Sequence, residues 1–227
     1  MARLVEAIRE GDMELANCII DNGCNINATM NDDMSFLMYA IYYKRNKLAH
    51  KLINMNECDI HIKNKYGVTA LMYAITTRNL EIINILIKKK CDINVQIRSS
   101  RDTGLMIAFD DNCFKIVDVL IDNKCDLYLE NSNGHTIFDI LINHHKKLLF
   151  LINKLIKNGD ITFLEKSKCK DKLLKFIHDN KMIESIWNMY ESKMKDIISD
   201  GDNILAYSFV NNLGDFNVIK LLIRYTY

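Results

Sequence analysis

The stretch from Asn64 to Asn94, NKYGVTALMYAITTRNLEIINILIKKKCDIN, decides the fold of this chain. Gly67 permits a tight turn, and the hydroxyl of Thr69 can accept a backbone N–H from a helix that begins at Ala70. Apolar residues then recur at helical spacing in two runs, which are Leu71, Ala74 and Ile75, and Ile82, Ile83, Leu86 and Ile87. The stretch therefore predicts a turn, a helix, a second turn and a second helix, a unit too small to bury its own apolar faces.

The same unit recurs along the chain with a nearly constant period. The alanine of the first helix, or its replacement, falls at Ala7, Ala40, Ala74, Ala108, Leu141 and Ser208. The first five of these positions follow one another at intervals of about 33 residues, and the last interval is twice as long, so it spans two units. Such a period indicates stacked repeats, because each unit can then bury its apolar faces against its neighbours.

The unit resembles an ankyrin repeat, whose family signature is roughly G-x-T-P-L-H-x-A, then a helix with V-V-x-L-L, then G-A-D-V-N. The matching residues are Gly67, Thr69, Leu71, Ala74, Ile82, Ile83, Ile85, Leu86, Cys91, Asp92, Ile93 and Asn94. Ala70 replaces the family proline, and the whole chain contains no proline. The resemblance implies an all-α ankyrin-repeat solenoid of about six to seven helix–turn–helix repeats with hairpin turns.

The resemblance covers nearly the whole chain and predicts a single ankyrin-repeat domain, residues 1–227. Residues 1–28 are the N-terminal capping repeat, 29–161 the regular repeats and 199–227 the C-terminal capping repeat. Residues 162–198 lack the Gly-x-Thr turn, so they predict a degenerate penultimate repeat. That segment is either relaxed in its packing or specialised for docking.

Three local features depart from the repeat pattern. Asp33 and Arg101 stand where the second and fourth repeats should carry their turn glycine. In the fifth repeat, the run His144-His145-Lys146-Lys147 predicts a longer turn between the two helices.

Seven cysteines are an odd number, and four of them recur at the same interval as the alanines, which are Cys24, Cys58, Cys91 and Cys125. They take the position where the family carries a small alanine, so we expect them to pack as small apolar side chains. Thiols without a secretory signal favour a reducing compartment, and the expected location is cytoplasmic. No apolar run has membrane length, so no membrane association is expected.

The charge is balanced overall but unevenly distributed. From Asp102 to Asp139, eight acidic residues stand against two lysines, whereas from Lys146 to Lys175 nine lysines stand against three acidic residues. The two blocks either solvate neighbouring repeats or steer different parts of a partner. The lysines carry no aromatic ladder for base stacking, so nucleic acid is not an expected partner.

No enzyme motif is visible. Adjacent residues such as Asp110-Asp111 and His144-His145 point about 100° apart on a helix, so neither pair converges on one centre. The sequence has no Gly-rich phosphate loop, Cys-x-x-Cys motif or nucleophile elbow. We therefore expect no catalytic residue, no cofactor and no metal.

The resemblance implies a surface made of hairpin tips and first-helix ends, which binds other proteins. Carried over by position, the helix-end residues are Tyr42, Tyr43, Thr76, Thr77, Asp110, Asp111 and His144, and the tip residues are Lys65, Tyr66, Ser99, Asp102, Asn133 and His135. Tyr42, Tyr43 and Tyr66 are the leading candidates, because tyrosine is enriched at interface hot spots. The alternative is that one of them, Tyr42 in the first place, packs inward onto the next repeat.

The predicted function is a monomeric, non-catalytic scaffold that binds an unidentified protein through its concave groove and tips. A structural or assembly role, with docking through the basic 146–198 region, is the alternative. The Lys-, Asn- and Ile-rich, proline-free style is similar to that of ankyrin proteins from large DNA viruses and intracellular bacteria. That similarity implies a host-directed factor acting in the host cytosol.

Overall fold

The computed structural model describes residues 2–158, 160, 163–182 and 188. The chain forms two compact units, Met1–Ile137 and Phe138–Tyr227. The helices of the first unit are α1 (Ala2–Glu10), α2 (Met13–Asp21), α3 (Phe36–Tyr42), α4 (Asn46–Asn54), α5 (Ala70–Thr76), α6 (Leu80–Lys88), α7 (Gly104–Asp110) and α8 (Phe114–Asp122). No described helix is both long and apolar enough to span a bilayer.

The helices of the first unit form four successive pairs, which are the first to fourth repeats. Within each repeat the two helices pack on each other, as α1 does on α2 and α5 on α6. The first helices also pack in succession, α1 on α3, α3 on α5 and α5 on α7, and the second helices α4, α6 and α8 do the same. The prediction of helix–turn–helix repeats that bury their faces against neighbours is confirmed for this unit.

The first helices of the second, third and fourth repeats begin at a hydroxyl cap, as predicted for Thr69. The oxygens of Ser35, Thr69 and Thr103 accept the backbone N–H three residues on, at 3.3, 3.4 and 3.3 Å. Each cap satisfies a backbone donor that has no partner inside the helix. The helices therefore start correctly without the proline that the family pattern carries.

The hairpin tip of a repeat is the turn before its first helix, and its backbone is left-handed at one equivalent position. That position is Asp33, Gly67, Arg101 and Gly134, with φ of 61°, 80°, 55° and 74°. Asp33 and Arg101 thus adopt the conformation of the glycine that they replace. In the second repeat the tip also carries a short antiparallel pair, β1 (Thr29–Met30) and β2 (Met34–Ser35).

The tips are joined to one another by backbone hydrogen bonds. Lys65 N donates to Asp32 O at 2.9 Å, Arg98 N donates to Tyr66 O at 2.8 Å, and Ser132 N donates to Ser100 O at 2.7 Å. These three bonds recur at repeat spacing. The tips therefore form a continuous row that holds their side chains at fixed intervals.

The core of the first unit lies between the two rows of helices. Ala40, Ala74 and Ala108 are fully buried there, and a small side chain at this position lets neighbouring helices approach closely. Cys125 is buried, whereas Cys24, Cys58 and Cys91 are half-buried, and all are free thiols. The expected packing role is clearest for Cys125.

The second unit contains α10 (His145–Lys157), α11 (Phe163–Lys166) and α12 (Lys170–Asp179), preceded by α9 (Ile137–Leu141). Phe138 stacks on Phe163 with ring centroids 5.7 Å apart, and both rings are buried. The predicted long turn after α9 is wrong. His145 already begins α10, so the inserted residues extend this helix to 13 residues instead of the nine of α6.

Part of the predicted repeat series lies outside the described residues. The predicted degenerate repeat, 162–198, is described only at 163–182 and 188, and the predicted C-terminal capping repeat, 199–227, lies outside the described residues. The number of repeats and the single-domain organisation stay predictions.

Candidate partner-binding surface

Tyr42 and Tyr66 are the exposed aromatic side chains of the described chain, at 53% and 49% exposure. Tyr42 ends α3, and Tyr66 lies on the tip of the third repeat. Tyr43 is half-buried. Tyr42 contacts Tyr73 of the next repeat and keeps 53% of its surface exposed.

Four tyrosines of the second and third repeats form one connected group of rings, here called the tyrosine cluster: Tyr39, Tyr42, Tyr43 and Tyr73. Tyr42 meets Tyr43 and Tyr73 edge to face, with centroids 5.0 and 5.9 Å apart. Tyr43 lies parallel to Tyr39 at 6.4 Å. Edge-to-face and offset aromatic pairs are favourable, so the rings hold one another in place.

The two inner tyrosines are fixed through their hydroxyl groups. Tyr39 Oη donates to Asn31 O at 3.4 Å, and Tyr73 Oη accepts from Asn64 Nδ2 at 3.2 Å. Burial is the main reason why the pKa of both phenols lies above its usual value, and the carboxylate of Asp32 raises it further. Both groups therefore remain neutral hydrogen-bonding phenols.

The tip of the third repeat is organised by Asn64, a buried polar residue. Its Oδ1 accepts the backbone N–H groups of Tyr66 and Val68 at 3.0 and 2.9 Å. A buried amide with all these partners stabilises one loop conformation. The position of Tyr66 is therefore set by the loop backbone.

Lys65 links two neighbouring tips. Its ammonium forms an ion pair with Asp32 and lies 4.9 Å from the centroid of the Tyr66 ring. The hydrogen bond to Asp32 is the main cause of a raised pKa for Lys65. Both side chains of the ion pair are close to half exposed, so it contributes little to stability.

The predicted helix-end residues of the third and fourth repeats have different roles. The hydroxyls of Thr76 and Thr77 donate to the carbonyl of Tyr73, at 3.0 and 2.8 Å, and so complete the end of α5. Asp110 is exposed and Asp111 half-buried at the end of α7. The surface therefore changes from aromatic to hydroxyl to acidic along three repeats.

The remaining predicted tip residues are exposed or partly exposed. Ser99 is exposed, and the carboxylate of Asp102 accepts from Asn131 Nδ2 at 3.4 Å. Asn133 and His135 are exposed, with their backbone N–H groups bound to Asn131 Oδ1 at 3.0 and 3.1 Å. His144 belongs to the second unit, where it is exposed at the start of α10.

Sequence reasoning missed Tyr39, Tyr73 and Asn64. Tyr39 and Tyr73 directly precede Ala40 and Ala74, so they occupy equivalent positions of successive repeats. That spacing was a usable signal that both rings lie on one face. Asn64 gave a weaker signal, because its role depends on burial under the folded tip.

In the described part of the chain, no cluster of three or more His, Cys, Asp or Glu residues has metal-binding geometry. Burial raises the pKa of Cys58 and Cys91 to about 11 and that of Cys125 to about 12. At neutral pH these three thiols are protonated, whereas a nucleophile needs the thiolate.

Comparisons with known proteins agree with this architecture. A family model of ankyrin repeats, three copies long, matches residues 4–97. An ankyrin repeat protein of fowlpox virus (strain NVSL) is 29% identical over 89 residues, which are 39% of this chain and 20% of that protein. An ankyrin repeat protein of Rickettsia bellii (strain RML369-C) is 43% identical over 54 residues, 24% of this chain and 29% of that protein. The chain thus spans less than a third of either relative.

Proposed function

We propose that this chain, whose residues 4–97 match a family model of ankyrin repeats, is a non-catalytic ankyrin-repeat scaffold that binds a partner protein. The proposed binding surface comprises the hairpin tips and the first-helix ends. One observation carries the proposal: the large apolar side chains that the described chain leaves exposed, Tyr42 and Tyr66, both lie on this surface.

The rigidity of the surface supports this function. The tips are joined by backbone hydrogen bonds, and the tyrosine cluster is held by ring contacts and by Asn64. Residues held in place before binding lose little conformational entropy when a partner arrives. Tyrosine also offers a large contact area with only two rotatable side-chain bonds.

We extend the proposal to a host-directed protein that acts as a monomer in the cytoplasm, or in the host cytosol. The sources of the two relatives, a virus and a Rickettsia, support the first part. The free thiols support a reducing compartment.

A second candidate is an assembly role, in which the basic segment 146–198 is the contact. The observation that favours it is the exposure of several lysines in the described part of that segment, which are Lys146, Lys168, Lys172 and Lys175. Lysines contribute mainly long-range attraction, whereas tyrosines contribute contact energy. The two candidates therefore predict different effects of mutation.

Affinity capture with the full chain and two double variants separates the candidates. We expect Tyr42→Ala with Tyr66→Ala to weaken partner binding by roughly tenfold or more, the effect of losing hot-spot side chains. The melting temperature should stay within a few degrees, since both rings are about half exposed. Tyr43→Ala is a poorer probe, because that ring is half-buried and lies parallel to Tyr39.

The matched variant is Lys172→Ala with Lys175→Ala, which removes two exposed side chains from α12. Under the proposed function this variant keeps its partner. Loss of the partner in the lysine variant, with full binding in the tyrosine variant, would instead establish the assembly role.

A further inference from the structure

We propose that the tyrosine cluster receives a positively charged side chain, an arginine in the first place, from an extended segment of the partner. This inference rests on the proposed protein-binding function and names the chemistry of its partner. It is carried by the arrangement of the four rings, by the charges around them and by the hydroxyl groups that they leave available.

The faces of aromatic rings carry negative charge density and attract cations. The protein already uses this interaction on the adjacent tip, where the Lys65 ammonium lies 4.9 Å from the centroid of Tyr66. Within the described part of the chain, no cation lies over any ring of the tyrosine cluster. Tyr42 in particular keeps 53% of its surface exposed.

The surroundings of the cluster complement a positive charge. The carboxylate of Asp32 acts on both Tyr39 and Tyr73, whose phenol pKa values it helps to raise. Acidic residues occupy the positions equivalent to Tyr43 in the two flanking repeats, Glu10 in the first and Asp111 in the fourth. An approaching basic segment is therefore attracted at long range by acidic groups of the surrounding repeats, although Asp32 and Glu10 are also paired with Lys65 and Arg9.

The nearby cations of the protein are mostly engaged elsewhere. Lys65 is paired with Asp32, and Arg9 with Glu6 and Glu10 at 3.3 and 3.8 Å. The Arg45 guanidinium donates to the carbonyls of Ile8 and Arg9, at 2.9 and 2.7 Å. Lys44 is exposed next to Tyr43 in sequence but does not lie over any of the four rings.

Arginine suits the cluster better than lysine or a neutral side chain. Its planar guanidinium can stack on a ring while its N–H groups donate to oxygen atoms at the edge. The hydroxyls of Tyr39 and Tyr73 are bonded to the protein, whereas those of Tyr42 and Tyr43 bond to no described residue. These two oxygens are therefore available as acceptors.

The test uses labelled full-length protein and pools of twelve-residue peptides, randomised over uncharged residues at every position except the centre. The centre is arginine, lysine, citrulline or leucine, and citrulline has nearly the shape of arginine without its charge. We expect the arginine pool to bind more tightly than the citrulline pool by roughly two- to thirtyfold, the range of a cation–π contact.

Variants of Tyr42 test whether the preference for arginine depends on its aromatic ring. Tyr42→Phe keeps an aromatic face and should retain most of the preference for arginine, whereas Tyr42→Leu should abolish it. Asn84→Leu is the control, because it changes an exposed, uncharged side chain on α6 that is not part of the proposed binding surface. The melting temperature of each variant is measured in parallel, and Tyr42→Phe shows whether the result depends on the ring rather than on folding.

Equal binding of the arginine and citrulline pools, including no binding of either, would overturn the inference. So would a preference for arginine that persists in Tyr42→Leu. A captured partner that is lost on Tyr42→Ala with Tyr66→Ala, although the peptide pools show no preference for charge, would leave the proposed function standing and remove only this inference.

Discussion

Several residues of the repeats adopt a left-handed backbone although they are not glycine. In the turns between the two helices, Lys44, Arg78 and Asn112 have φ of 55°, 57° and 56°, where the first repeat has Gly11 at 88°. A residue with a side chain is less stable by about 1–2 kcal/mol in the left-handed conformation. The turns adopt it all the same, because the helices packed on both sides fix their backbone. The repeat geometry therefore overrides local preference at these positions.

Arg101→Gly should stabilise the protein slightly. Removing the side chain at φ 55° removes about 1–2 kcal/mol of backbone strain from the folded state. Glycine is more flexible in the unfolded chain, which lowers the stability by about 0.5–1 kcal/mol and so offsets part of this gain. Urea unfolding measures the difference in the free energy of unfolding between Arg101→Gly and the unchanged protein.

The opposite change at the equivalent position of the third repeat, Gly67→Ala, should destabilise the protein, since a Cβ there would lie 2.9 Å from Arg98 Cγ and 3.1 Å from Arg98 N. A lower free energy of unfolding for Arg101→Gly would contradict the assignment of backbone strain to Arg101.

Asn64→Ala should lower the free energy of unfolding by about 1–3 kcal/mol. The substitution leaves the backbone N–H groups of Tyr66 and Val68 without the buried acceptor that they have in the native tip. Asn133→Ala is the control: this side chain is exposed, and its loss should change stability by less than about 0.5 kcal/mol. Equal effects of the two changes would show that the tip does not depend on Asn64.

Stability should decline in alkaline solution because of the buried thiols. Burial raises the pKa of Cys125 from 9.0 to about 12, so above pH 9 the unfolded chain releases a proton that the folded chain retains. Unfolding is thus favoured increasingly as the pH rises from 9 towards 12. The free energy of unfolding of Cys125→Ala should fall less steeply over this range in urea titrations, and identical slopes would refute the assignment.

At the scale of the elements, the short helices depend on partners at both ends. Ser35, Thr69 and Thr103 cap three first helices, while Arg45 from the second repeat donates to the last carbonyls of α1 at Ile8 and Arg9. Isolated helices of seven to nine residues are unstable in water, so these contacts and the packing of neighbours maintain them.

Arg45→Met should destabilise α1 more than it changes any other helix. Methionine keeps much of the apolar stem but removes both donors to the α1 carbonyls, at an expected cost of about 1–3 kcal/mol. Hydrogen exchange should show faster exchange in α1, with α7 unchanged. Lys47→Met, at an exposed position on α4, is the matched control and should leave exchange in α1 as it was.

At the scale of the whole chain, each repeat of the first unit is stabilised by contacts with its neighbours. The first helices of successive repeats contact each other. The turns that follow the second helices are joined by side chains such as Asn94, whose Oδ1 accepts a hydrogen bond from Asp126 N at 2.8 Å. The equivalent Asn27 accepts Asp59 N at 2.8 Å. Stability in such an array is the sum of repeat contributions and contributions from nearest-neighbour contacts.

Leu86→Ala tests this nearest-neighbour behaviour. Leu86 is fully buried in the third repeat, so the truncation should cost about 2–5 kcal/mol. Hydrogen exchange should become faster in the third repeat and its two neighbours, α3 to α8, and the increase should be smaller in α2. Ile87→Ala, at a half-buried neighbouring position, should give a smaller effect with the same pattern. Uniform loss of protection in all repeats would show a single cooperative unit instead.

Sequence alone determined the helix–turn–helix repeats of the first unit, their period and the cap at Thr69, because a hydroxyl cap and an apolar stripe act over a few residues of the same chain. Only the tertiary structure decided that Tyr42 is exposed and Tyr43 half-buried, and that α10 is extended where a longer turn was predicted. It also brought Tyr73 against Tyr42 and Lys65 against Asp32. Those contacts join residues about one repeat apart, and their geometry depends on how two folded repeats stack.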